Sequence, residues 1–236
     1  KEVRRKGDWS VKRPNVEPSG WYFEFAHEHY PDIDDTAMVL LGLHFSKCEK
    51  SASQASAEKR AVDWLLAMQS TDGGWAAFDV DNNWQFLSDV PFADHNAMLD
   101  PTCPDITGRV VEALRLHGVP EEHPAIRKGL AYLVNANDGT SFAVRGLRAA
   151  GESDREVAVL RAGEWLRSIQ NADGGWGESP ESYRGNGFVP APSTPSQTAW
   201  AVMGLLASGD TYSSSVQRGI EYLIQNQNAD GTWTEE

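Results

Sequence analysis

Gln69-Ser-Thr-Asp-Gly-Gly-Trp75, Gln170-Asn-Ala-Asp-Gly-Gly-Trp176 and Gln227-Asn-Ala-Asp-Gly-Thr-Trp233 are three copies of one phrase, Gln-x-x-x-Gly-x-Trp. Each closes an amphipathic segment. Ala57, Ala61, Trp64, Leu65 and Met68 precede the first copy at helical spacing, and Ala158, Ala162, Trp165, Leu166 and Ile169 repeat that template before the second. Val216, Ile220, Leu223 and Ile224 give a third stripe. The pattern predicts helices with one apolar and one charged face, each stopped by an Asp-Gly turn.

A second kind of segment alternates with these: Thr36 to Leu43, Thr107 to Leu116, Ser141 to Ala150 and Thr198 to Ala207. The first and last carry no charge, which predicts helices buried on both sides. Half-exposed and fully buried helices in alternation predict an all-α chain built as an (α/α) barrel of two concentric layers. An open helical solenoid uses the same alternation.

With 236 residues, 40% of them hydrophobic, the chain suits one large domain over 1–236. The Trp-Leu and Tyr-Leu pairs of the outer segments, ending at Leu65, Leu133, Leu166 and Leu223, expose an irregularity. The third follows the second about two dozen residues too early. The join at 134–140 begins like the other turns and has no closing tryptophan, so either this loop is shortened or, as expected from the intact helices on both sides, residues are missing from the sequence there. The chain also opens without Met and stops just after Trp233.

The composition narrows the function classes. No apolar run reaches membrane-spanning length, and the polar amino end has no apolar stretch behind it, so neither a spanning helix nor a secretory signal is expected. A net charge of -13 repels nucleic acid and anionic head groups. Cys48 and Cys103 match no metal or redox spacing, and the six histidines form no ligand pair. Asp79-Val-Asp81 starts like a calcium loop, but Trp84 stands where the turn glycine belongs and Val90 where a bidentate Glu belongs. No metal and no cofactor is expected.

Asp32-Ile-Asp34-Asp35-Thr36 is the chemically informative cluster, three carboxylates at the entry to an apolar helix. Capping explains one Asp. Three beside an apolar interior repel one another, which favours a protonated carboxyl, a stored general acid. Asp105 holds the place in its repeat that Asp34 holds in the previous one, and Arg109 follows four residues later on the same helical face. If buried, that guanidinium needs an acidic partner and the cluster is the candidate; otherwise it is a partly exposed residue at a helix end. Trp21, Phe23, Phe25 and Tyr30 precede the acids, and Trp75, Phe78 and Phe92 follow. Singly they read as core. Beside a carboxylic acid in a dry pocket they suggest cation chemistry, because ring faces stabilise positive charge without quenching it.

The combined pattern resembles the squalene-hopene cyclases, through residues 7–15, Gly20-Trp21, Pro31 to Ala37, Phe78 to Asn82, Asp100-Pro101 and Pro190 to Trp200. Oxidosqualene cyclases share that family's fold but carry Asp-Cys-Thr-Ala-Glu at the acid. The resemblance implies proton-initiated polycyclisation of squalene to hopene or hopanol, an isomerase-type reaction with a hydratase side activity. In it Asp34 would donate the proton, with Asp32 and Asp35 holding it in a hydrogen-bonded set. Asp105 and Arg109 would orient and recharge the acid, although some members carry His in place of Arg109. Trp21, Phe23 and Phe78 would face substrate, and Phe92 would belong to the constriction that admits it. The resemblance also implies a cytoplasmic protein peripheral to the membrane, with a homodimer as one possible assembly. The family's second barrel and its carboxyl-terminal aromatic segment are not in these residues, so this stretch alone is expected to be inactive. Two other readings compete: a cyclase of an isoprenoid diphosphate, for which no basic or magnesium-binding motif is present, and a non-catalytic helical-repeat interaction module.

Overall fold

A computed structural model describes residues 1–23, 27–46, 49–83, 99–135, 145–146, 148–149, 156–184 and 187–235. The chain divides into two compact units, Lys1–Asn137 with Ala149–Gly151, and Asp138–Arg148 with Glu152–Glu236. The first unit holds α1 (Ile33–Phe45), α2 (Ala52–Ala67), α3 (Pro104–Leu116) and α4 (Pro124–Asn135). In it α1 packs on α2 and α3, and α3 on α4. The second unit holds α5 (Glu156–Ser168), β1 (Trp176–Glu178), β2 (Pro190–Thr194), α6 (Pro195–Ala207) and α7 (Ser214–Gln225), with α6 against α5, α7 and β1. The described residues are mostly helical. They depart from an all-helical chain at one two-stranded antiparallel ribbon, where Trp176 pairs with Thr194 and Glu178 with Pro190.

The repeat phrase is a brace. Gln69 Nε2 donates to the carbonyl of Gly73 within its turn and to that of Ala125 in the first turn of α4, both at 2.8 Å. Gln170 does the same to Gly174 at 2.7 Å and to Ser215, on α7, at 2.9 Å. The indole N–H of Trp75 bonds the carbonyl of Leu65, and that of Trp176 the carbonyl of Leu166, so each turn caps the last carbonyls of the helix it follows. Trp233 repeats this on Leu223, while the hydrogen bond of Gln227 stays within its own turn. Gly73 must be glycine twice over. Its φ is 96°, and a Cβ there would stand 2.6 Å from the Lys128 carbonyl oxygen.

The core of the first unit joins Ile33 and Leu40 of α1 to Trp64, Leu65 and Met68 and to Val110, Val111 and Leu114, all fully buried. In the second unit Leu166, Trp176, Ala201, Val202, Leu205 and Val216 form the cluster. Two expectations need correction. The uncharged helices are not buried on both sides, since Met38 of α1 is 48% exposed and Trp200 of α6 42%. On α7 the inward face runs through Val216 and Gly219, leaving Ile220 and Ile224 exposed, because Gly219 is where the Trp176 ring comes close. The join at 136–140 and most of the segment from Ser141 to Ala150 lie outside the described residues.

Candidate active site

The first turn of an α-helix leaves four N–H groups without intrahelical partners, and on α1 all four are accounted for. Asp32 is the N-cap, with extended backbone (φ -95°, ψ 131°). Its Oδ1 accepts the N–H groups of Asp34 at 2.7 Å and Asp35 at 3.1 Å. Its own N–H donates to the Trp21 carbonyl at 2.8 Å and the N–H of Ile33 to the Ala77 carbonyl at 2.7 Å, while the Asp32 carbonyl accepts the first intrahelical bond, from Thr36, at 3.0 Å. Capping therefore uses Asp32 and spares Asp34 and Asp35.

Asp34 is spent on a different contact. Its Oδ2 accepts a hydrogen bond from Arg109 Nη1 of α3, an ion pair whose side chains are 31% and 14% exposed respectively. This decides between the two sequence readings of Arg109 in favour of the buried, partnered guanidinium. Asp34 Oδ1 and Asp35 Oδ2 are buried and have no hydrogen-bond partner among the described residues. Asp105 sits in the first turn of α3, one turn before Arg109. Burial, aided by repulsion from its two neighbours and opposed by the two backbone N–H groups, pushes the Asp32 carboxyl up to about 6. Burial and the charge of Asp34 raise Asp35 as well. At the start of α3, burial likewise raises the Cys103 thiol. The cluster thus combines a carboxylate bound to a cation with two neighbours whose carboxyls are raised above the ordinary range.

The aromatic candidates are placed unevenly. Trp21 acts through its backbone: its carbonyl accepts the Asp32 N–H at 2.8 Å and its N–H donates to Thr36 Oγ1 at 2.9 Å. Trp75 makes the same two bonds to Cys103 and Thr107. Trp176 pairs with Thr194 and donates to Thr198 Oγ1. Trp21 is therefore a repeat tryptophan that clasps the acid helix. It does not fit the Gln-x-x-x-Gly-x-Trp phrase because Asn15 and Ser19 replace the Gln and Gly; the signal that survives is Gly20-Trp21 ahead of Thr36. Phe23 is 84% exposed and Phe78 47% exposed. Phe92, like Phe25, lies outside the described residues. Phe78 follows Ala77, whose carbonyl holds Ile33, so its loop reaches the acid helix through backbone.

Asp100, a letter of the Asp100-Pro101 motif, has a carboxylate that collects three consecutive N–H groups, from Ala77, Phe78 and Asp79, at 3.0, 2.7 and 2.7 Å. The residues of the calcium-like stretch have packing roles: Asp81 accepts from the Thr71 N–H and hydroxyl, and Asp79 pairs with Lys12.

Comparison with known proteins gives a consistent picture. A family model for the squalene-hopene cyclase C-terminal domain matches residues 1–236. A squalene-hopene cyclase of Bradyrhizobium diazoefficiens is 42% identical over 100% of this chain and 38% of its own length. A probable squalene-hopene cyclase of Sinorhizobium fredii is 42% identical over 98% of this chain and 39% of its own. The squalene-hopene cyclase of Alicyclobacillus acidocaldarius is 37% identical over 100% of this chain and 40% of its own. The chain thus spans well under half the length of these relatives.

Proposed function

The chain belongs to the squalene-hopene cyclase family, and from that membership we propose that it carries the acid-bearing part of an enzyme that cyclises squalene. The Asp34–Arg109 pair at the capped entry of α1 is the observation that carries this reading. Protonating an isolated alkene makes a tertiary carbocation, so the donor must leave behind a stabilised carboxylate. Arg109 and the N-terminus of α1 supply that stabilisation. Asp34 gives its proton to a terminal double bond, the alkene's π electrons form the new C–H bond, and successive double bonds close rings onto the cation. Loss of a proton ends the sequence as an alkene, and capture of water ends it as an alcohol. Asp32 and Asp35, made weaker acids by burial, return a proton to Asp34. Asp105 belongs to the same proton relay.

In this reading the fold is an (α/α) barrel of inner and outer helices: within the first unit α1 and α3 are inner and α2 and α4 outer, and within the second α6 is inner and α5 and α7 outer. Support comes from the identical tryptophan-to-threonine clasp at the start of all three inner helices. The rings of Trp21, Phe23 and Phe78 face the substrate and the cationic intermediates. An apolar substrate that partitions into bilayers places the intact protein on the cytoplasmic membrane surface, in peripheral contact.

The test uses the intact enzyme. Asn at position 34 keeps the size but has no acidic proton and no charge for Arg109, so Asp34→Asn should abolish squalene turnover while costing up to about 3 kcal/mol of stability, the range of a lost charge-assisted hydrogen bond. A folded Asp34→Asn enzyme retaining more than a few per cent of the parent rate would show that the proton comes from elsewhere, with Asp35 next in line.

A further inference from the structure

We infer that Asp100 is a positioning residue: with the Ile33 N–H it clasps the loop Ala77–Asp79 to the first residue of the acid helix, fixing the Phe78 ring relative to Asp34. The inference rests on the proposed cyclase reading. Three observations carry it.

Three N–H groups in a row on one carboxylate is an uncommon expenditure of hydrogen bonds, and charge-assisted bonds of this kind hold backbone more firmly than neutral ones. The middle donor is Phe78 itself, so the ring's Cα cannot shift without breaking a bond to Asp100. The Ala77–Phe78 peptide gives its N–H to Asp100 and its carbonyl to Ile33, so the loop is held on one side by a carboxylate and on the other by the acid helix.

The repeat supplies the comparison that makes this a departure rather than routine packing. The other two inner helices begin with proline, Pro104 on α3 and Pro195 on α6, at the position where α1 has Ile33. Proline is the ordinary choice there, because the N–H is an orphan in any helix. Of the three described inner helices, only the acid-bearing one keeps that N–H, and it is bonded to the loop of Phe78. The clasp lies where a proton donor and a ring facing the nascent cation need a fixed separation. A displacement of 1 Å at a reacting centre costs as much as a hundredfold in rate.

The experiment uses the intact enzyme with squalene and reads melting temperature, turnover and the ratio of incompletely to fully cyclised products. Asp100→Asn presents one oxygen and an unwanted NH2 group to three donors. It should lower turnover on the order of tenfold and raise the share of incompletely cyclised products in the same direction as Phe78→Ala. The double variant Asp100→Asn/Phe78→Ala should give the product ratio of Phe78→Ala alone, because Asp100 acts through that ring. Ile33→Pro deletes the loop bond using the repeat's own residue; compared with Ile33→Ala, which keeps the N–H, it should show the same product shift. That arm decides the matter if Asp100→Asn does not fold. An Asp100→Asn or Ile33→Pro enzyme with the product ratio of its reference, whatever its melting temperature, overturns the inference. A product shift that adds fully onto that of Phe78→Ala overturns it too. Retained turnover in Asp34→Asn would instead remove the acid assignment, a different outcome read from a different variant.

Discussion

Replacing Asp32 by Asn should stabilise the protein at neutral pH while impairing its chemistry. Asp32 caps α1 with one oxygen, Oδ1, which accepts both N–H groups; an Asn carbonyl oxygen can take the same place, and the two residues rank equally as caps. The charge is another matter. Burial and two neighbouring carboxylates move the Asp32 carboxyl from 3.8 to about 6, so folding favours its protonated form. Its contribution to stability is therefore complete below pH 3.8 and is lost as pH rises through about 6. At 1.36 kcal/mol per pKa unit the loss is about 3 kcal/mol in full, and about 1–2 kcal/mol after allowing for the solvent that reaches this part-exposed side chain. Asn pays no such cost. Thermal unfolding of parent and Asp32→Asn in matched buffers from pH 4 to 8 should show a difference near zero at pH 4 that grows in favour of the variant and levels off above pH 7. Squalene turnover should fall in the same variant, because a carboxyl that returns protons has been removed. A variant less stable than the parent at every pH, or a difference that does not change with pH, would refute the account of Asp32 as a desolvated carboxyl whose cap needs no charge.

Two other predictions use the repeat and the ion pair. Gly73→Ala should cost about 3 kcal/mol, combining left-handed backbone strain with a Cβ against the Lys128 carbonyl. Gly231→Ala has the same backbone sign (φ 87°) and open space around its Cβ, so it should cost about 1 kcal/mol; equal losses in urea titrations would show that the close approach at Gly73 is unimportant. Arg109→Gln removes the cation beside Asp34 and should lower turnover by roughly a hundredfold, within the range of general-acid effects, with squalene KM little changed. A KM effect without a kcat effect would make Arg109 a substrate contact instead.

Much of this protein was legible in its sequence because the information is local. A helix stopped by Asn-Asp-Gly chemistry, a stripe at 3.6 spacing and a tryptophan six residues after a glutamine depend on neighbours in the chain, and the helices α1 to α4 and α5 to α7 lie where those signals put them. So does the chemical character of the site, since three carboxylates before an apolar run are visible without coordinates. The division of labour among those carboxylates was not legible. Asp32, Asp34 and Asp35 are equivalent as letters, and only the backbone turn at Asp32 selects the cap, only the approach of α3 pairs Asp34 with Arg109 across 75 residues, and only burial raises the carboxyls of Asp32 and Asp35. Trp21 and Asp100 belong with these, as do the exposed faces of α1 and α6. Their work is done by backbone groups and by surfaces whose neighbours lie far along the chain, and a carboxylate that gathers the N–H groups of residues more than twenty positions earlier leaves no periodicity to read.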